Sequence, residues 1–124
     1  MGLTQAKGNS AEHFAKQFLE RQGLTLVSQN YRCKHGEIDL IMRDKKTTVF
    51  VEVRYRKSQY FGSGAETVDY RKQRKLLATA SHYLQNNLKA AKQPCRFDVI
   101  SLTATPSPNA EDYAVDWIAD AIQA

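Results

Sequence analysis

The sequence has few of the residues and runs that mark several classes of protein. It contains two cysteines, Cys33 and Cys95, in 124 residues, too few for a disulfide framework, and we interpret both as free thiols of a cytoplasmic protein. No apolar run approaches the roughly 20 residues of a membrane span, and the N-terminus lacks the apolar core of a signal peptide. We therefore expect one domain over residues 1–124 that has no membrane contact.

Two further kinds of site have little support in the sequence. Gly62-Ser63-Gly64 lacks the lysine of a P-loop, so a glycine-rich phosphate loop is disfavoured. A zinc site would need ligands that are dispersed or poorly spaced, namely Cys33, His35, His82 and Cys95. Any chemistry is therefore expected from carboxylates and cations.

The positive charge is concentrated in one part of the chain. Residues 54–75 carry seven Lys and Arg against two Asp and Glu, which accounts for the whole net charge of +5. Such a local excess suggests a polyanionic partner, although a solvated basic face is an equally good interpretation. The candidate phosphate-binding residues are Arg56, Lys57, Arg71, Lys72, Arg74 and Lys75.

Two segments with alternating polarity predict a β-hairpin. In 36–42, Glu37, Asp39 and Ile41 alternate with Ile38, Leu40 and Met42; in 49–54, Phe50, Glu52 and Arg54 alternate with valines. A hairpin that closes about Lys45-Lys46 places Asp39 opposite Glu52. A register shift of one residue would send one carboxylate to the other face.

Two carboxylates facing each other in apolar strands are unfavourable unless a cation bridges them or one is protonated. Arg54 lies on the same face as Glu52. Our main hypothesis is that this patch holds a divalent metal such as Mg²⁺, which favours carboxylate oxygens and accompanies phosphate substrates. A second interpretation is a structural salt-bridge network with Arg54 and Arg43, in a protein that binds another protein.

The remaining patterns predict an α/β protein. Residues 1–9 are expected to form a loose arm, followed by an amphipathic helix from the N-cap Ser10 to Gly23. Glu12 lies in its first turn, where the helix dipole alone would favour an acid. The spacing predicts a strand over 25–31, a helix from Thr67 or Asp69 to about Asn87, a strand over 96–102 parallel to the Glu52 strand, a linker over 103–109 and an edge strand over 113–118.

Several of these residues also carry a family resemblance. Glu12, Asp39 in Gly-Glu-Ile-Asp-Leu-Ile, and Glu52-Val53-Arg54 resemble the PD-(D/E)xK nuclease pattern. With Lys72, Arg96-Phe97-Asp98-Val99 and Trp117-Ile118, the chain more closely resembles the YraN family of bacterial proteins over nearly its whole length. The resemblance implies a restriction-endonuclease-like αβββαβ core with a mixed sheet flanked by helices, related to archaeal Holliday-junction resolvases.

The resemblance implies an Mg²⁺- or Mn²⁺-dependent endonuclease that hydrolyses phosphodiester bonds in DNA, with branched DNA as one substrate and a homodimer as one arrangement. Asp39, Glu52 and the Val53 carbonyl would bind metal, and Glu12 would support them. The motif lysine is Arg54 here, and arginine cannot release a proton. Arg54 would therefore stabilise charge in a working enzyme; otherwise the chain is a non-catalytic nucleic-acid-binding protein on a nuclease-like scaffold.

Overall fold

The computed structural model describes residues 3–56, 69–104 and 113–122, with side chains from residue 10 onward. Its elements are helix α1 (Leu3–Arg21), strands β1 (Thr25–Cys33), β2 (Gly36–Asp44) and β3 (Thr47–Arg56), helices α2 (Tyr70–Gln85) and α3 (Leu88–Ala91), and strands β4 (Cys95–Ala104) and β5 (Tyr113–Ile118). Lys57, the Gly62–Gly64 loop and 105–109 of the predicted linker lie outside the described residues.

The strands form one sheet in the order β1-β2-β3-β4-β5. β3 and β4 run parallel and the other neighbouring pairs run antiparallel. The α/β class, the αβββαβ element order, the parallel crossover and an edge strand over 113–118 were predicted and are confirmed. No helix in the described ranges is long and apolar enough to cross a membrane.

Helix α1 begins earlier, and strand β4 ends later, than the sequence predicts. α1 begins at Leu3 and runs through Ser10, so the predicted loose arm is wrong for residues 3–9. The segment Gln5-Ala6-Lys7 has high helix propensity and no proline interrupts it, which lets the helix extend past Ser10. β4 continues to Ala104, so the start of the predicted linker is strand.

The two helices cover opposite faces of the sheet. Ala11, Ala15 and Leu19 of α1 are buried, as their spacing predicts, in a core with these strand residues: Leu40, Met42, Val49, Val51, Ile100 and Leu102. On the other face, α2 buries its apolar side against Ile38, Ile41, Phe50, Phe97 and Val99. β3 alternates between the two layers as predicted, with its valines towards α1 and Phe50 towards α2.

β2 departs from the predicted alternation at one residue. Ile38 packs in the α2 layer together with Ile41, whereas Leu40 and Met42 pack in the α1 layer. Ile38 and Leu40 would share a face in a regular strand, so the prediction that they do is wrong. The interruption falls at Asp39, the residue between them.

α2 begins where the sequence indicates and ends slightly earlier. Asp69 is its N-cap and accepts a hydrogen bond from the Lys72 backbone N–H at 2.8 Å. The helical spacing predicts a buried stripe of Leu76, Ala80, Tyr83, Leu84 and Leu88. Leu76, Ala80 and Tyr83 are buried, which confirms their places, but Leu88 is 70% exposed, so its place in the stripe is wrong. The helix ends at Gln85 and the chain restarts as α3 at Leu88, so the 3.6-residue period is broken before Leu88 is reached.

Candidate functional site

The hairpin between β2 and β3 has the register that its sequence predicts, and it opens at Asp39. Pairs run from Asp44–Thr47 to Leu40–Val51, which confirms closure about Lys45-Lys46. One step further on, the Val53 N–H donates to Asp39 Oδ2 at 2.8 Å. The Asp39 carboxylate therefore accepts a hydrogen bond from an N–H group that, in a regular antiparallel ladder, would bond to the backbone near Ile38. The opening of the ladder fixes the position of the Asp39 side chain.

Asn30 distorts the neighbouring strand at the same level. It falls between the pairs Gln29–Leu40 and Tyr31–Ile38, across from Asp39, and has a left-handed φ of 52°. Asparagine adopts this conformation more readily than most residues. With its amide nitrogen turned to the acids, Asn30 donates to Glu37 Oε1 at 3.0 Å and to Glu12 Oε2 at 3.1 Å. Asn30 therefore joins α1 to β2.

Neither Asn30 nor Glu37 was predicted as a site residue. An asparagine inside a strand was the available signal, because asparagine is depleted in strands. Glu37 precedes Asp39 by two residues in β2, and both line the same cavity. Its position two residues before Asp39 was the signal that could have identified it.

The acids of the site repel one another. Burial and the charge of Glu52 raise the pKa of Asp39 to about 8, while the Val53 N–H opposes the shift. Burial also raises the pKa of Glu12, against the effect of a hydrogen bond with Asp39. The predicted convergence of Glu12, Asp39 and Glu52 is therefore present, and the cluster favours a bound proton or a cation.

Glu52 is the most buried of these acids and meets two cations. It is 5% exposed, and its Oε1 lies 2.6 Å from Lys72 Nζ and 3.7 Å from Arg54 Nη1. The contact with Arg54 was predicted. Lys72 was expected to bind phosphate, and in the structure it also supplies the nearer charge to Glu52 from the first turn of α2.

Gly36 permits this close approach of α2. Its φ is 149°, and a Cβ atom there would lie 3.2 Å from Thr79 Oγ1 and 3.6 Å from Lys75 Cβ. Any larger residue would both strain the backbone and press on α2. Thr79 is itself fixed by donating to the Lys75 carbonyl at 2.7 Å. Gly36 therefore helps to set the distance between the helix and the carboxylates.

A cavity of about 230 Å³ opens above these groups, lined by Gly36, Glu37, Asp39, Glu52, Lys72, Lys75 and Leu76. The remaining predicted phosphate-binding residues in the described ranges lie outside it. Arg71 is exposed on α2, Arg74 lies 5.7 Å from the centre of the Tyr70 ring, and Arg56 ends β3. They border the site and do not line it.

The donor set is compatible with a hard metal ion but is not a complete cage. Within the described residues, no group of three or more His, Cys, Asp and Glu side chains is arranged to hold a metal. The candidate ligands are the carboxylates of Asp39 and Glu52 with the Val53 carbonyl, all of them oxygen donors that suit Mg²⁺ or Mn²⁺. The raised pKa of Asp39 shows an acid whose charge needs compensation, and Mg²⁺ commonly keeps several waters as its other ligands.

The salt-bridge interpretation fits only one of its two arginines. Arg54 pairs with Glu52, whereas Arg43 is exposed and makes no ion pair with any described residue. A network that joins both arginines to the carboxylate pair is therefore absent from the described part of the chain.

Comparison with known proteins places the sequence in one family. Residues 11–102 match the model described as "Uncharacterised protein family UPF0102". A UPF0102 protein of Pseudomonas syringae pv. syringae is 50% identical over 117 residues, covering 94% of this chain and 93% of that protein. A UPF0102 protein of Coxiella burnetii is 45% identical over 121 residues, covering 98% and 95%. With this coverage of both chains, and the resemblance in sequence motifs, the protein belongs to the YraN-like UPF0102 family.

Proposed function

We propose that this UPF0102 protein is a divalent-metal-dependent nuclease that hydrolyses phosphodiester bonds in DNA, with branched DNA as one candidate substrate. The observation that supports it is the meeting of Asp39, Glu52 and Lys72 in one cavity beside the basic start of α2. A bound metal ion would relieve the repulsion between these acids, and the adjacent cations would attract the phosphate that the metal acts on.

Asp39, Glu52 and the Val53 carbonyl would hold Mg²⁺ or Mn²⁺, and Glu12 would orient Asp39. Such an ion, when bound, activates water and offsets the charge that develops on the phosphate. The Val53 N–H holds Asp39 at 2.8 Å from the other side, so this acid enters the reaction already oriented.

Lys72 and Arg54 have different roles in this proposal. Arg54 stays protonated, so it acts as a fixed charge that stabilises the transferring phosphate. Lys72 carries an amine that can exchange a proton and lies 2.6 Å from Glu52. It therefore provides from α2 the lysine that the Glu-x-Arg triplet of β3 lacks.

The test is incubation of the protein with linear, flapped and four-way DNA in Mg²⁺, Mn²⁺ or EDTA. We expect metal-dependent cleavage that falls by about 100-fold or more in Asp39→Ala and in Lys72→Met. Arg54→Lys should keep activity, because Lys72 already supplies the amine. Asp116→Asn, at an exposed position of β5, is the matched control for loss of a carboxylate. Cleavage in EDTA, or cleavage unchanged by Asp39→Ala, would overturn the proposal.

The second candidate is a nucleic-acid-binding protein without catalytic activity. It is favoured by the ion pair in which Lys72 neutralises Glu52 at 2.6 Å, together with Arg54 at the motif position. It predicts salt-dependent DNA binding with no turnover. Turnover that appears only in Arg54→Lys would support this candidate, and cleavage by the unaltered protein would exclude it.

A further inference from the structure

A second basic cavity lies at the tip of the β2–β3 hairpin, apart from the carboxylate site. Its volume is about 570 Å³, and four cations are among its lining residues: Arg43, Lys45, Lys46 and Lys89. Its wall also contains Thr48 and Tyr83, and no Asp or Glu lines it. The main-chain elements that meet there are the hairpin turn, the end of α2 and α3.

These four cations differ from four others of the described residues, three in the sheet and one on α2. Arg32, Arg54, Lys72 and Arg96 each pair with a carboxylate. Across the described ranges, no carboxylate lies within ion-pair distance of the four that line the cavity. No carboxylate of the described residues offsets their mutual repulsion, so a multiply charged anion would bind there favourably.

The backbone of the turn gives independent support. Lys45 has a left-handed φ of 57°, a conformation that costs a side chain such as lysine about 1–2 kcal/mol relative to the right-handed one. Glycine or asparagine would fit this position at lower cost. A lysine held in such a conformation is typical of a position where its charge is used.

The cavity and the carboxylate site open on the same side of the sheet. Thr48, Phe50 and Glu52 alternate towards α2, and α2 extends from Lys72 beside Glu52 to Tyr83 beside the tip. Glu52 lies four residues after Thr48 along β3, which corresponds to a distance of about 13 Å. This distance matches about four phosphate steps along a DNA strand at roughly 3.4 Å each.

The surface between the two cavities carries no opposing charge. Residues 70–97 contain seven Lys and Arg and no Asp or Glu. Arg71, Arg74 and Lys75 are exposed in the first turns of α2, and residues 76–88 contain no Lys, Arg, Asp or Glu. An anionic backbone that leaves the carboxylate site along α2 therefore meets cations at both ends of the helix and no acid between them.

Building on the proposed function, we propose that the hairpin-tip cavity binds a second segment of the DNA phosphate backbone, so that bound duplex lies along α2 and extends at least about four phosphates from the carboxylate site. The hairpin tip then fixes the direction in which the substrate leaves the site. The chemistry recognised is a phosphodiester backbone and not a base.

The test compares Lys45→Asn/Lys46→Gln with Lys16→Gln/Arg21→Gln, which makes the same change of charge on α1, on the opposite face. Asparagine keeps the left-handed turn accessible, and Arg43→Gln/Lys89→Gln tests the same cavity without altering the turn. Binding of a 20-base-pair duplex is measured by fluorescence anisotropy across a salt series. We expect both cavity variants to weaken binding roughly tenfold and to reduce the salt slope by about 2, and the α1 variant to change neither.

Equal losses in the cavity and α1 variants would overturn the inference while leaving DNA binding intact. No binding of duplex by the unaltered protein at low salt would instead overturn the proposed function, and this inference with it. A parallel NMR titration distinguishes binding of a DNA backbone from binding of a small anion. Duplex should shift the amides of residues 43–48 and inorganic phosphate at the same ionic strength should not; the reverse result would make the cavity a small-anion site.

Discussion

Asp39 and Asp98 are two aspartates of the same sheet with opposite surroundings. Asp98 is 1% exposed and accepts hydrogen bonds from Arg96 Nε at 3.1 Å, Trp117 Nε1 at 3.0 Å and the Asp120 N–H at 2.8 Å. Asp39 has the Val53 N–H on one oxygen, and the charges of neighbouring acids raise its pKa. One carboxylate is satisfied and the other is repelled.

The difference separates an acid that stabilises the fold from one that we propose to be functional. Around Asp98 the donors come from β4, β5 and the following turn, and Arg96 also reaches Asp44 Oδ2 at 3.2 Å, so the group ties the edge strand to the hairpin. Around Asp39 the fold tolerates unfavourable charge that contributes nothing to stability. Such an arrangement is typical of a site that awaits a ligand.

The largest expected effect is on the free energy of unfolding when each aspartate is removed. Asp98→Ala leaves Arg96 and two further donors without their acceptor, so it should cost roughly 3–5 kcal/mol. Asp39→Asn removes a group that must take up a proton or tolerate repulsion from Glu52 when the chain folds, so it should be neutral or stabilising at pH 7.5 without metal. Urea unfolding measures both. Similar losses at the two positions would contradict the distinction.

The next effect is the pH dependence of stability. Burial and the charge of Glu52 raise the pKa of Asp39 from 3.8 to about 8, so the folded state keeps a proton that the unfolded chain releases. Stability from this group is therefore full below pH 4 and decreases as the pH rises to 8. In EDTA, the midpoint temperature should fall by at least about 4 °C between pH 5 and pH 8.

The control for the pH profile is Asp39→Asn, which should remove most of this decrease because the amide does not titrate. The midpoint temperatures of both proteins are measured by calorimetry in the same buffers, so that the contributions of the other acids cancel when the two profiles are subtracted. If the two profiles run parallel, Asp39 does not carry the raised pKa.

A metal ion should reverse the instability of the site. At a concentration ten times its dissociation constant, Mn²⁺ should raise the free energy of unfolding by about 1.4 kcal/mol, which raises the midpoint temperature by roughly 4 °C. Asp39→Asn and Glu52→Gln should abolish the shift, and the exposed Asp116→Asn should keep it. A shift that survives in Asp39→Asn would place the metal elsewhere.

The smallest effect concerns the two residues with left-handed backbone beside these aspartates. Asn30 has φ 52° across from Asp39, and Asp120 has φ 54° and donates its N–H to Asp98. Glycine should be tolerated at both positions, whereas alanine should cost about 1 kcal/mol more than glycine. Unfolding free energies of the four variants test this, and equal stability of the Gly and Ala variants would show that the conformation is not required.

The same comparison shows which parts of the site were predictable. The hairpin register and the contact of Arg54 with Glu52 follow from local period and turn position, and the place of Glu12 beside Asp39 was implied by the family resemblance. The interruption at Asp39 does not, because it requires Asn30 on another strand and the Val53 N–H together. Lys72 over Glu52 likewise depends on how closely Gly36 lets α2 approach, a distance that no local pattern contains.

The sequence by itself determined the order of the strands and the two long helices, and the layer to which each β3 side chain belongs. These follow from hydrophobic periodicity, which is a local property, whereas the family follows from motif residues such as Glu52-Val53-Arg54 and the short helix α3 was not predicted. Only the tertiary structure decided that Asp39 is repelled while Asp98 is satisfied, and that four cations with no carboxylate partner among the described residues meet at the hairpin tip. Charge balance depends on neighbours brought together from distant parts of the chain, so it is fixed only when the elements pack.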